Sequence, residues 1–134
     1  MDYNILREND IRGEYGTQIT SSVAKRIGLS FGTYLKLNEI NETIIGHDNR
    51  LSGEELHTAL IEGILETGVN ILDIGLSTTS LFNYSSIKAE IPYGIMITAN
   101  GIGHLILYTT SLFRNKIFTP FMALTMRNVL MIRR

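Results

Sequence analysis

The stretch TIIGHDNRLSGEELHTALIEGILETGVNILDIG, residues 43–75, decides the fold. It opens on a short β-branched run, Thr43 to Asp48, that enters a turn and reads as a buried strand. Ser52 then stands three residues before Glu55, the spacing of a capping box: the hydroxyl accepts from a first-turn amide and the carboxylate reaches back. Leu56, Leu60, Ile61, Ile64 and Leu65 form an apolar stripe at helical spacing, and Gly68 is placed to stop the helix. Val69 to Gly75 follows as a second strand.

The same alternation continues on both sides. Upstream, residues 20–37 carry Val23, Ile27, Phe31, Tyr34 and Leu35 close to helical spacing, with Gly28 and Gly32 allowing close packing at some cost in propensity. Downstream, residues 78–90 read as a third, shorter helix and residues 94–98 as a third strand. Strand, helix, strand, helix, strand in short order implies right-handed parallel crossovers and a sheet covered on both faces. The expected fold is α/β, a three-layer α/β/α domain with a mostly parallel sheet. In such sheets ligands gather beyond the carboxyl ends of the strands, where GHDNRLS (46–52), DIGLSTT (73–79) and TANGIGH (98–104) are delivered.

At 134 residues one core is expected, and 44% hydrophobic with 19% charged residues is too apolar for a disordered chain. The net charge of −1 argues for neither nucleic acid nor a membrane surface as a partner. The absence of cysteine excludes a disulfide framework, a thiolate zinc site and a cysteine nucleophile. With charge at once in MDYNILREND and no apolar h-region, the reading is a cytoplasmic protein without a signal peptide. Charge is unevenly spread: residues 1–90 hold seven Lys or Arg and thirteen Asp or Glu, for −6, whereas residues 91–134 hold five basic residues and no acid. The apolar runs of that second part are broken by Thr, Ser, Pro and Arg and fall short of the roughly 20 residues a membrane span needs. Beyond residue 100 the periodicity commits to neither helix nor strand, so the chain divides into residues 1–100 and an atypical basic, apolar tail over 101–134.

No P-loop, dinucleotide fingerprint or His-Glu-x-x-His pair is present, and His47, His57 and His104 lie far apart, so no metal site is read. Arg12 stands between Asp10 and Glu14, followed by Gly13 and Gly16, in a turn presenting a guanidinium that suits phosphate; the plainer reading is an ion pair with either neighbour. Asp48 and Arg50 precede the second helix, as ligand-binding residues or as a salt-bridged turn. Ser77, Thr78 and Thr79 could donate to an anion at the third helix, but hydroxyls are also what helix N-caps prefer.

Taken in order, these segments resemble the first domain of the α-D-phosphohexomutases, the phosphoglucomutase and phosphomannomutase family. LRENDIRGEYG is similar to the family's Phe-Arg-x-x-Asp-Ile-Arg-Gly stretch, IIGHDNRLSGEEL to its Gly-x-Asp-x-Arg-x-Ser segment, and GVNILDIGLSTTSLF to its Asp-x-Gly and Thr-Thr-Pro segment; YGIMITA matches the strand before its nucleophile. The resemblance implies phosphoryl transfer between the 1- and 6-hydroxyls of a hexose phosphate through a phosphoserine, with Mg²⁺ bridging to it and a hexose 1,6-bisphosphate as intermediate and activator. It also implies that Arg12 sits near the phosphoserine, that Asp48 and Arg50 shape a loop at the site's edge, that Ser77 to Thr79 form its floor, and that Thr98 begins the nucleophile loop.

There the chain departs from the family. The expected Thr-Ala-Ser-His-Asn-Pro reads Thr98, Ala99, Asn100, Gly101, and an asparagine amide is neither a useful nucleophile nor a phosphoryl carrier. Leu6 replaces the usual Phe, and Ser80 the usual Pro. The metal loop of Asp-Gly-Asp type and the sugar- and phosphate-recognition loops of the later domains are not encoded in this chain. A reading-frame shift at or just after Ala99 accounts for this and for the acid-free tail. An in-frame deletion joining Thr-Ala to the family's Asn-Gly-x-Lys segment is the alternative, although Gly103 stands where lysine belongs. The expectation is a truncated first domain, inactive alone; the rivals are a non-catalytic hexose-phosphate or anion-binding domain, or a non-functional fragment.

Overall fold

The structure, a computed structural model, describes residues 2–6, 10–49, 51–99 and 104–111. After a single 3-10 turn at Tyr3–Ile5, the elements are β1 (Asp10–Glu14), α1 (Ser21–Leu37), β2 (Glu42–His47), α2 (Leu51–Leu65), β3 (Asn70–Leu76), α3 (Thr79–Lys88), β4 (Tyr93–Ala99) and β5 (His104–Ser111). They form one sheet in the order β1-β5-β4-β2-β3. β3, β2 and β4 are parallel, as short apolar strands joined by helical crossovers must be, whereas β5 pairs antiparallel with both β4 and β1.

The alternation of side chains along the strands builds two cores. Ile45, Ile95 and Ile97 face α1 and α2, where Ile27, Phe31, Leu35, Leu56, Leu60 and Ile64 are fully buried. Ile44 and Met96 face the opposite way, onto Phe82 of α3. The α/β/α layering is therefore the expected one, with two helices on one face and one on the other.

Local chemistry fixes the element ends. Thr20 caps α1, its hydroxyl accepting from the Val23 amide at 3.3 Å. Gly68 takes φ +85° after α2, the left-handed geometry that ends a helix and that glycine adopts without strain. α1 and α2 cross backbone to backbone: a Cβ on Gly28 would stand 2.2 Å from the Leu60 carbonyl oxygen, and one on Gly63 2.2 Å from that of Lys25.

Four expectations are corrected. Arg12 lies on strand β1 and not in a turn; the turn comes later, at Gly16 (φ +89°), and β1 was hidden because its only partner, β5, falls where periodicity was silent. A break at residue 100 is likewise not where the sheet ends, because His104–Ser111 is a strand held between β4 and β1. Leu65 is 55% exposed and leaves the stripe of α2.

The fourth correction concerns the capping box. Ser52 lies inside α2, and the Glu55 carboxylate, instead of reaching back to it, accepts from the Tyr15 hydroxyl at 2.8 Å and from the Ser21 hydroxyl. Two hydroxyl donors to an ionised acceptor outcompete one amide. They hold the Glu55 carboxyl below its ordinary value of 4.5, the Ser21 bond contributing most, and the same contact raises the Tyr15 phenol. A carboxyl so depressed stabilises the fold above its unfolded pKa, and the contribution fades as pH falls through the lower, folded value. Glu55→Gln is thus expected to lower the urea midpoint at neutral pH and to converge with the parent chain in acid. A difference constant across pH would refute this account.

Candidate functional site

The carboxyl ends of the three parallel strands meet the amino ends of α2 and α3, and backbone hydrogen bonds knit the candidate residues into one edge. The Asp48 amide donates to the Ile97 carbonyl at 2.9 Å, which brings the exit of β2 beside Thr98. The Ser77 amide donates to the His47 carbonyl at 2.8 Å, which brings the exit of β3 beside β2. Register does the rest: Arg12 pairs with Ile106 of β5, and Ile106 pairs with Thr98 of β4. Paired residues project to the same face, so Arg12 and Thr98 share a face two strand spacings apart, about 10 Å.

Most of the individual side chains are already engaged. Arg12 Nη2 bonds Asp10 Oδ2 at 3.0 Å with 48% of the arginine side chain exposed, which is the ion pair that its neighbours suggest. Such a pair is worth little to stability, about 0–1 kcal/mol, and leaves the other guanidinium N–H groups toward solvent. Thr78 caps α3, its Oγ1 accepting from the Leu81 amide at 3.1 Å, and the Ser77 hydroxyl donates to the Thr78 carbonyl at 2.8 Å. Thr79 is the exposed first residue of α3, and Asp48 is half-buried. Arg50 and Asn100 lie outside the described residues, as does the side chain of His104.

A second feature adjoins this edge and was not anticipated. A cleft of about 510 Å³ is lined by His47, Asp48, Glu54, His57 and Leu76 among others. The His47 and His57 rings stand 4.6 Å apart at 52°. His57, read as a surface or partly buried residue, is buried, and its Nε2 bonds Asp73 Oδ1 at 2.7 Å; that oxygen also accepts from the Gly75 amide at 2.8 Å. The His47 Nδ1–H donates to the Asp48 carbonyl at 2.8 Å, which fixes the tautomer of that ring. The cue was available in the sequence: an aspartate inside an apolar strand, and a histidine next to the apolar stripe of a helix.

Among the described residues no group of three or more His, Asp or Glu is placed to hold a metal ion, so the residues present do not fit Mg²⁺. No helix among them is long and apolar enough to cross a membrane.

Comparison with known proteins bears on the whole arrangement. The family profile "Phosphoglucomutase/phosphomannomutase, alpha/beta/alpha domain I" matches residues 4–101. A phosphomannomutase of Klebsiella pneumoniae is 38% identical over 91 residues, 68% of this chain and 56% of that protein. An Escherichia coli phosphomannomutase is 38% identical over 91 residues, 19% of its own length. A probable phosphoglucosamine mutase of Thermococcus gammatolerans is 39% identical over 90 residues, again 19% of its length. The crystal structure of a phosphoglucomutase/phosphomannomutase family protein from Burkholderia thailandensis superposes with a TM-score of 0.86 at 23% identity, covering 100% of this chain and 31% of that one. This chain thus spans between about a fifth and somewhat over half of these relatives. With the profile covering most of the chain and the same layered sheet in the solved relative, the chain belongs to the phosphoglucomutase/phosphomannomutase family, and residues 4–101 match its α/β/α domain I.

Proposed function

We propose that this chain is the first-domain part of a cytoplasmic phosphohexomutase, an isomerase of the intramolecular phosphotransferase type, and that alone it does not turn over. The observation that carries the reading is the shared face of Arg12 and Thr98, followed in the chain by Ala99 and Asn100 in place of a serine. In this reading Arg12 neutralises phosphate, Asp48 and Arg50 shape the loop beside it, and Ser77, Thr78 and Thr79 form the floor. With Asn100 where the nucleophile belongs, no phosphoryl acceptor stands at the end of β4. Mg²⁺, the hexose 1,6-bisphosphate activator and the choice among glucose, mannose and glucosamine phosphates belong to segments that relatives carry and this chain does not.

The test is a coupled assay with glucose 1-phosphate and with mannose 1-phosphate, each supplied with glucose 1,6-bisphosphate and Mg²⁺. Product formation is expected to stay at the buffer rate; clear turnover would overturn the inactive reading. Translating the gene beyond codon 99 in all three frames separates the two origins of the lesion. Ser-His-Asn-Pro and a later Asp-Gly-Asp in another frame would place the activity in the full-length product.

The half-exposed guanidinium of Arg12 favours a second reading, retention of hexose-phosphate binding without catalysis. Heat on titration with glucose 1,6-bisphosphate that disappears in Arg12→Ala would establish it, and no heat would exclude it.

A further inference from the structure

Helix α3 is apolar on two opposite sides. Phe82 and Ser86 face the sheet and are fully buried. Leu81, Tyr84 and Ile87, spaced by three residues, fall on the far side and are 51%, 59% and 50% exposed. Leu72 extends the patch: it pairs with Ile44, which packs against Phe82, so it lies on the α3 face of the sheet, 41% exposed. A helix with apolar residues all round is normally buried on both sides, and contiguous apolar patches on a lone domain mark a contact. Asn83 of the same helix holds a buried Oδ1 that accepts no hydrogen bond, a group that calls for a donor.

The course of the chain indicates the occupant. β5 runs antiparallel to β4 and ends at Ser111 opposite Tyr93. Tyr93 lies two residues beyond Ile91, whose amide bonds the Ser86 carbonyl of α3 at 3.0 Å. The chain therefore leaves the sheet at the end where α3 finishes, beside Ile87. Residues 112–134 that follow number 23, of which thirteen are Leu, Ile, Val, Phe, Met or Ala and five are Lys or Arg, with no acid. α3 is about 15 Å long at 1.5 Å per residue, so this length suffices to turn and run back over it. The charge also suits: the segment carries +5, residues 1–90 carry −6, and the exposed Glu90 sits at the end of α3 where the segment begins.

We infer that residues 112–134 of this same chain fold back over the outer face of α3, covering Leu81, Tyr84 and Ile87. This departs from the expectation of a poorly ordered tail and does not depend on the functional proposal. The chain lacks cysteine, so one label site can be introduced at will. A nitroxide on Lys88→Cys of the full chain, at an exposed position beside the stripe, should broaden the amide signals of residues 112–134 independently of protein concentration. In a mixture of labelled unenriched and unlabelled nitrogen-15-enriched chains those signals should stay sharp. Adding Leu81→Glu and Ile87→Glu to the labelled chain should restore them, with the fold retained because both positions face outward. Broadening in the mixed sample would show a second copy on the face and overturn the inference. So would sharp signals in the labelled chain, or broadening that survives the two glutamates.

Discussion

Gly63→Ala is expected to lose about 2 kcal/mol or more of stability, a large share of the roughly 5–15 kcal/mol that holds a domain together. A methyl group at this position would lie 2.2 Å from the Lys25 carbonyl oxygen and 2.8 Å from the Leu29 amide nitrogen, both backbone atoms of α1. Gly28 meets the Leu60 carbonyl reciprocally, so neither helix can yield without moving as a body. Separation would loosen Ile27, Phe31, Leu60 and Ile64, which fill the larger core at full burial. Overpacking typically costs about 1–3 kcal/mol, and more where backbone must shift; the helix propensity of alanine returns about 1. Chemical unfolding followed by circular dichroism decides the matter. Glu62→Ala, at the exposed neighbouring position, should change stability by no more than about 0.5 kcal/mol. If both variants behave alike, the tight crossing is not what fixes these helices.

The same crossing shows what sequence could and could not disclose. Glycines in an otherwise apolar helix announce close approach, and α1, β2, α2, β3, α3 and β4 each carry their own period, so each was legible within a residue or two. β1 and β5 were not. Arg12 and Gly13 have no strand pattern of their own, and β5 lies between two neighbours in the sheet, where a strand reads as a continuous apolar run that could equally be helical. Glu55 had the spacing of a cap and the chemistry of a tertiary acceptor; only the approach of Tyr15, forty residues away, decides between them. At the site edge, single residues spoke for bland roles, and the structure shows Arg12 paired with Asp10 and Thr78 capping α3. Their assembly along one edge rests on register, which no local pattern encodes.

Phe82→Ala is expected to cost about 3–5 kcal/mol and to act first on α3. The ring is fully buried and is the one large side chain that α3 sends into the smaller core, against Ile44, Met96 and Ile74. That core leaves room for a ring and little else: positions beneath it are glycines, with Gly94 and Gly46 so placed that a Cβ would stand 3.0 and 3.2 Å from ring carbons. Truncation opens a cavity that these glycines cannot fill, so local opening of the helix should precede global unfolding. Amide exchange over residues 79–88 should then quicken more than exchange over β2 and β4. Because Thr78 caps this helix and Ser77 is bonded to β2 at the strand exit, any affinity for hexose phosphate should weaken in parallel. Exchange that quickens uniformly across the sheet would show that α3 opens only with the whole domain, and the site edge would then be as rigid as the core beneath it.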